Sequence, residues 1–417
     1  MYIIVDGNNF YVSCERVGNP SLNNKPVAVM SNNDGCAIAM SNEAKAIGIK
    51  MGDPTFKIRE RPDAGNITLL SSNYALYGDI SARMVDIIRL FAPEVEVYSI
   101  DECFGKIHGV INYEEKMREL RKTILQWIGI PTCIGIAPTK SLAKAANRIA
   151  KKFPEHTGGV YAIDSEKKRI NALKWLEIGD VWGIGNAHAD RLRGIGIKTA
   201  YDFTKDLSND WIKKNMAIVG FRLCRDLSGL PTLDFEDVKD KKMIAHTRTF
   251  DKKRRGDFPY VKERVSTFAA NVAEKLRAQK SFAATVHVFI QGDYKHRFLP
   301  GYSIGLASAT DYPTNSTFEI KKTAIKILEA IWRDDFDIAK TGVMVSGITP
   351  APNVQTTIFG YEKSKDQVAM AAIDKLNLKF GRHAIRFGGE DRKLHKMLRE
   401  HLSRNYASNI NEIIEIR

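Results

Sequence analysis

The sequence has no apolar run near the roughly 20 residues needed to cross a bilayer, so no membrane-spanning helix is expected. It is also poor in cysteine. Cys14, Cys36, Cys103, Cys133 and Cys224 are scattered, and none forms a Cys-x-x-Cys pair. Neither a disulfide framework nor a zinc site is therefore expected, and a reducing compartment fits. No leader precedes the first strand, so no signal peptide is expected and the expected location is the cytoplasm. No internal repeat appears. Negative charge is scarce as well: 63 Lys and Arg face 49 Asp and Glu, a net +14 over 417 residues. An excess of this size favours a polyanionic partner through counterion release at phosphates. No strongly basic amphipathic helix lies beside an aromatic-rich face, so nucleic acid is preferred to a membrane surface. Charge alone says nothing about fold or catalysis.

What is present centres on Tyr98-Ser99-Ile100-Asp101-Glu102-Cys103-Phe104. β-branched and aromatic residues flank two adjacent acids, which reads as strand, tight turn, strand. Neighbouring side chains of a regular strand point to opposite faces, so Asp101 and Glu102 can serve one site only where the strand bends. A second acidic position follows the apolar run Tyr2-Ile3-Ile4-Val5, which suits a buried strand ending at Asp6 and Gly7. If the two strands are neighbours, three carboxylates converge. They cannot all stay ionised at close range without cations, and hard oxygen ligands with room for phosphates suit Mg²⁺. An acid at a strand end is also an ordinary turn residue or helix cap, and on these two segments alone that reading stands beside the metal site.

Along the chain, short apolar strands alternate with amphipathic helices expected at 73–91, 113–128 and 139–150. Ser41 is placed as the N-cap of a short helix carrying Asn42 and Lys45, which reads as a capped surface helix or an anion site. The 139–150 helix and its flank carry Lys140, Lys144, Arg148, Lys151 and Lys152, a solvated face or a phosphate contact. Strands, helices and hairpins in this order point to an α+β palm rather than a doubly wound sheet. From 165 to 229 the pattern is all-helical. There Gly183-Ile184-Gly185 and Gly194-Ile195-Gly196 bound a short helix in the manner of a helix–hairpin–helix, whose glycines let backbone N–H groups reach a DNA phosphate. After a charged tether, a β-α-β-β-α-β series between 243 and 349 reads as a ferredoxin-like unit. Lys252-Lys253-Arg254-Arg255 lies in its first loop, a solvated run or a grip on a DNA backbone. Order weakens after Pro350, where Gln355-Thr356-Thr357-Ile358-Phe359 reads as a recognition peptide or as a short match without meaning, and a last helix is expected over 391–402.

Together these motifs resemble the Y-family translesion DNA polymerases over about residues 1–348. They are Asp6 with Phe10-Tyr11, Ser99-Ile100-Asp101-Glu102, Gly135-Ile136-Ala137 with Lys140 and Ala143-Lys144, and the hairpin glycines. Ser31-Asn32-Asn33-Asp34-Gly35-Cys36, Ser71-Ser72-Asn73-Tyr74 and Asp180-Val181-Trp182-Gly183-Ile184-Gly185 are similar to one bacterial branch of that family. The resemblance implies a right hand: palm at 1–25 and 71–164, fingers at 26–70, thumb at 165–232, linker at 233–242, little finger at 243–349, and a tail at 350–417 with a clamp-binding-like peptide and a partner-binding region. It implies error-prone translesion synthesis in the DNA damage (SOS) response, with primer-template DNA and dNTP as substrates. Asp6, Asp101 and Glu102 match the catalytic carboxylates, which with the Gly7 carbonyl hold two Mg²⁺. The family commonly has a bulkier residue at position 7. Tyr11 matches the steric gate against ribonucleotides. Asn42, Lys45 and Lys151 match triphosphate contacts, where some relatives carry Tyr and Arg in place of Asn42 and Lys45. Gln355, Ile358 and Phe359 match the peptide that docks on the sliding clamp, which commonly has Leu at the place of Ile358. A processed UmuD dimer and a RecA filament are the further partners implied, with a nucleoid-associated location. Small residues over the template (Cys36, Ala37, Ala39) and no room for a proofreading exonuclease fit tolerance of lesions. The rival expectations are a catalytically silent DNA-binding accessory subunit and a nucleotide cyclase on a palm-like sheet.

Overall fold

The structure is a computed structural model that describes residues 1–109, 111–205, 210–235, 240–250, 256–293, 301–334, 336–351, 363–381, 384–391, 398–407 and 409–413. The chain forms two compact units, Met1–Asp237 with Met397–Arg417, and Val238–Lys396. Their boundary falls inside the expected tether.

Among its described residues the first unit contains eight strands: β1 (Tyr2–Gly7), β2 (Val27–Met30), β3 (Ala37–Met40), β4 (Thr68–Ser71), β5 (Glu94–Val97), β6 (Glu102–Lys106), β7 (Thr132–Ala137) and β8 (Val160–Ala162). Five form one sheet in the order β5-β6-β1-β7-β8, and three form another in the order β3-β2-β4. Reading β1 as a buried strand holds: Ile3, Ile4 and Val5 are fully buried, and β1 runs antiparallel to both β6 and β7. One face of the sheet is covered by the Tyr74–Phe91 and Tyr113–Ile128 helices through Leu76, Ile80, Met84, Leu120 and Ile124, and the other by the Lys140–Lys152 helix.

The caps explain where the helices begin. The Asn73 side chain accepts from the Leu76 N–H, Thr139 from Leu142 and Ser41 from Ala44, each meeting one donor that the first helical turn leaves unpaired. β4, β8 and the short Thr55–Arg59 helix were not among the expected elements. Their sequences carry little periodicity, and β8 is held by its parallel pairing with β7.

Between 165 and 227 the described α-helices are Glu166–Trp175, Asn186–Gly194, Ala200–Thr204 and Asp210–Leu227. Asp226, fully buried, ties the last of these to the N-terminus of the Lys140–Lys152 helix. Its carboxylate accepts from the Ser141 N–H (2.8 Å), and its carbonyl accepts from Thr139 Oγ1 (2.8 Å).

The second unit contains β9 (Ile244–Thr249), β10 (Ser281–Gln291), β11 (Ser303–Thr314) and β12 (Lys340–Pro350), with the Phe258–Ala278 and Thr317–Ile331 helices. The elements follow the expected β-α-β-β-α-β series. The sheet order is β11-β10-β12-β9 with antiparallel pairs throughout, so each β-α-β unit is split by a strand of the other half. The Lys363–Phe380 helix joins this unit through Arg277, which pairs with Asp374 (2.6 Å).

The end of the chain does not follow expectation. Among the described residues, 391 and 398–402 are not helical, and Leu402 instead bridges to Ser71 of β4. Lys252 to Arg255 and the peptide of Gln355, Ile358 and Phe359 lie outside the described residues.

Candidate active site

Antiparallel pairing of β1 with β6 sets Asp6 directly opposite Glu102. Asp6 is 5% exposed, and its carboxyl is hydrogen-bonded to that of Glu102. Each acid has a lysine partner from the same helix: Lys151 Nζ donates to Asp6 Oδ2 at 2.5 Å, and Lys144 Nζ donates to both Glu102 oxygens at 2.7 Å. Lys144 and Lys151 are seven positions apart, two helical turns, so they share a face.

The two carboxyls titrate differently. Burial pushes Asp6 up to about 7, and Glu102 adds to this against the opposing charge of Lys151. Burial also opposes the charge on Glu102, but the hydrogen bonds from Asp6 and Lys144 outweigh it and hold that carboxyl below its ordinary value. Two facing carboxylates that need two ammonium groups to coexist form a hard-oxygen donor pair suited to a divalent cation.

Asp101 is adjacent but turned away. Its carbonyl accepts from the Gly7 N–H (2.8 Å), which fixes the hairpin tip beside the end of β1. Its carboxylate accepts from Ser99 Oγ (2.5 Å) rather than joining Asp6 and Glu102. Among the described residues, no three His, Cys, Asp or Glu side chains are grouped to hold a metal ion. The geometry thus brings two of the three expected acids together and leaves the third paired with Ser99.

A cleft of about 260 Å³ opens over the pair, lined by Asp6, Glu102, Lys144, Arg148, Lys151 and Trp182. Tyr98, Phe104 and Trp182 pack edge-on beside it, with Trp182 Nε1 donating to the Tyr98 hydroxyl (2.9 Å). Lys144 lies over the Tyr98 ring, 4.7 Å from its centroid. Gly7 has no room for a side chain, because a Cβ there would lie 2.7 Å from the Phe10 ring. The bulkier residue common in the family therefore requires a different placement of Phe10.

Asn42 and Lys45 meet at Asn9, a residue the sequence motifs do not single out. Asn9 Nδ2 donates to Asn42 Oδ1 (3.0 Å), and Lys45 Nζ donates to Asn9 Oδ1 (2.5 Å). Asn9 takes a left-handed φ of 47°, which Asn tolerates better than most residues. An Asn-Asn pair just before a helix is the signal that marks it. Desolvation and the charge of Lys151 lower the Lys45 amine below its ordinary value.

Tyr11 is stacked on Tyr77 at 4.4 Å and 15°, with Tyr74 edge-on at 6.0 Å. Burial raises its hydroxyl, with the charges of Tyr74 and Asp101 adding to the shift. Gly183 and Gly196 both have positive φ, 92° and 90°, and bracket the Asn186–Gly194 helix. A Cβ on Gly185, Gly194 or Gly196 would meet open space, so their backbones are accessible.

Comparisons with known proteins place the chain in a family. Residues 5–148 match the impB/mucB/samB family, and 241–358 match its C-terminal domain. The protein UmuC of Salmonella typhimurium (strain LT2) is 35% identical over 100% of both chains.

The chain is a Y-family DNA polymerase of the impB/mucB/samB family.

Other relatives match over most of the chain. MucB of Escherichia coli is 34% identical over 94% of this chain and 93% of its own. DNA polymerase IV 1 of Bacillus subtilis (strain 168) is 26% identical over 93% of this chain and 92% of its own. A solved Dbh-Dpo4 chimera of a Y-family DNA polymerase superposes with a TM-score of 0.66, at 22% identity, over 84% of this chain and 99% of that one. Residues 367–416 match a domain of unknown function, DUF4113, so this polymerase carries a C-terminal segment with no assigned role.

Proposed function

We propose that the polymerase performs error-prone translesion synthesis in the DNA damage (SOS) response, joining dNTPs to a primer 3′-hydroxyl on damaged template. The observation that carries this reading is the facing pair Asp6 and Glu102, neutralised by Lys151 and Lys144 at the floor of an open cleft. Asp6, Glu102, Asp101 and the Gly7 carbonyl would hold two Mg²⁺, which when bound acidify the primer hydroxyl and stabilise the leaving pyrophosphate. Lys151, Lys45 and Asn42 take the triphosphate; Lys151 and Lys144 are then free to move from carboxylate to phosphate. Lysine at 45 offers a point charge where Arg would give a planar fork. The Tyr11 ring lies under the sugar and excludes a 2′-hydroxyl. The peptide backbone at Gly183, Gly185, Gly194 and Gly196 contacts the DNA phosphates, as do Lys252, Lys253, Arg254 and Arg255. A sliding clamp, a processed UmuD dimer and a RecA filament are its proposed partners, at the nucleoid.

Incubation with primed template, Mg²⁺ and dNTPs, alone and with the processed UmuD dimer and RecA filament, tests the reading. Primer extension that disappears in Asp101→Ala is expected. A cyclic nucleotide product, or DNA binding without extension under every condition, would replace the reading with a cyclase or a silent subunit. Replacing Ile358 and Phe359 together by Ala is expected to abolish clamp-stimulated extension while sparing basal extension. Undiminished stimulation refutes the clamp assignment.

A further inference from the structure

The described segment 398–407, near the end of the chain, lies on the two motifs that set this branch apart and that the proposed chemistry does not use. In the Ser31–Cys36 motif, Asn33 and Asp34 have left-handed φ values of 59° and 50°. Their side-chain oxygens accept from the Leu398 N–H (3.2 Å) and the Glu400 N–H (3.0 Å). In the Ser71–Tyr74 motif, Ser71 exchanges hydrogen bonds with His401: its N–H donates to the His401 carbonyl (2.9 Å), and its Oγ accepts from the His401 N–H (3.0 Å). Asn73 Nδ2 donates to the Ser403 carbonyl (3.2 Å) and Oγ (3.1 Å). Tyr406 completes the attachment. Its hydroxyl donates to the Cys14 carbonyl (2.7 Å), and its ring occupies the space that only a glycine at position 18 leaves open.

From this strap a chain of contacts leads to the proposed sugar gate. Ser403 Oγ donates to Glu15 Oε1 (3.0 Å), and the same oxygen accepts from the Tyr77 hydroxyl (2.6 Å). Glu15 is 3% exposed and Tyr77 fully buried. The Tyr77 ring is the one stacked on Tyr11. Burial raises the Glu15 carboxyl, and the two hydroxyl donors only partly offset this, so the acid depends on both partners to remain in place. Tyr77 is held by Glu15 at its hydroxyl and by Tyr11 at its face. A shift at Ser403 is thereby transmitted to the gate through packed, hydrogen-bonded groups.

We propose that the 398–407 strap positions Tyr11 through Ser403, Glu15 and Tyr77, and so sets how strictly the polymerase rejects ribonucleotides. This rests on the reading of Tyr11 as the sugar gate. Ser403, Glu15 and Tyr77 are positioning residues; none touches the reacting atoms. The strap gives the C-terminal segment of unassigned role a task at the active site, although it is more than 300 positions from Tyr11 in the sequence.

The test is the ratio of kcat/KM for dNTP to that for rNTP, measured with the full chain, its partner proteins, primed template and Mg²⁺. Ser403→Ala and Tyr77→Phe are each expected to lower the ratio about tenfold, the weight of one hydrogen bond to a charged group, with dNTP kcat/KM little changed. Ser403→Thr keeps the hydroxyl and is expected to keep the ratio. Because both variants cut one path, Ser403→Ala with Tyr77→Phe is expected to do no more than either alone. An unchanged ratio in both single variants, or fully additive losses, overturns the proposal. Tyr77→Phe preserves the buried ring, so the test survives if Ser403→Ala fails to fold. Tyr11→Ala separates the two readings. If it abolishes discrimination and the strap variants do not, the strap role alone is wrong; if it leaves discrimination intact, the gate reading fails and the proposal with it.

Discussion

Gly135→Ala is expected to destabilise the first unit by about 3 kcal/mol, near the upper end for overpacking a core. Gly135 lies in the middle of β7, every residue of which is buried. A Cβ there would collide with the Ala143 carbonyl oxygen and the Asn147 backbone nitrogen, and would lie 2.9 Å from the Asn147 Cα. These are backbone atoms of one helix, so no side-chain rotation relieves the clash. The helix itself must move off the sheet. It carries Lys144 and Lys151, so the displacement also pulls both ammonium groups from Glu102 and Asp6. Folded Gly135→Ala protein should therefore extend primers about 100-fold more slowly, the effect of a displacement near 1 Å. Urea unfolding followed by circular dichroism measures the first effect, and extension rates at low temperature the second. A loss below about 1 kcal/mol with normal extension would mean that the helix packs less closely than described.

Asp6→Asn is expected to abolish extension and to stabilise the metal-free protein. The first effect follows from losing a proposed metal ligand and should exceed about 1,000-fold, as for removal of a group acting directly on the transition state. The second follows from the titration of Asp6. Its folded pKa is raised from 3.8 to about 7, with burial the largest cause. Between those values the folded state binds the proton that the unfolded state has lost, so stability falls as pH rises. Above pH 7 the wild type bears the whole penalty, and below pH 3.8 none of it. Asn removes the charge, so with a chelator at pH 8 Asp6→Asn should be more stable by on the order of 2 kcal/mol, and the difference should vanish toward pH 4. Added Mg²⁺ should narrow the gap by stabilising only the wild type. A destabilised variant at pH 8 would show that the Lys151 pair outweighs burial.

How legible each of these features is in the amino-acid sequence depends on how local it is. The 113–128 helix appears at the bounds expected from its apolar spacing. Ser41 caps its helix as expected, and Asn73 and Thr139, expected as first helical residues, act as caps; all three use contacts three residues away. The pairing of Asp6 with Glu102 is also accessible, because an apolar strand ending in an acid and a hairpin bearing two acids have few other ways to share a sheet. The bounds of β11, Ser303–Thr314, are less legible. It is an edge strand, pairing only with β10, and its largely exposed face carries little hydrophobic signal.

What is not legible depends on distant partners. The Asp101 carboxylate turns to Ser99, a choice between rotamers that strand patterning does not constrain. The end of the chain is expected to be helical, yet Ser403 serves Asn73 and Glu15 across hundreds of positions. The family resemblance places the catalytic residues but is silent on this strap. Gly135 reads only as one glycine in an apolar strand; its necessity comes from a helix packed against it.

The central claim is that Asp6, Asp101 and Glu102 act as one site for divalent cations. The direct measurement is a count of bound Mn²⁺ by electron paramagnetic resonance, with primed template and a nucleotide analogue that cannot react. Two ions per chain are predicted for the wild type, with loss of at least one in each of Asp6→Asn, Asp101→Asn and Glu102→Gln. Two ions still bound in Asp101→Asn would show that its carboxylate stays with Ser99 and that the site is built from other ligands.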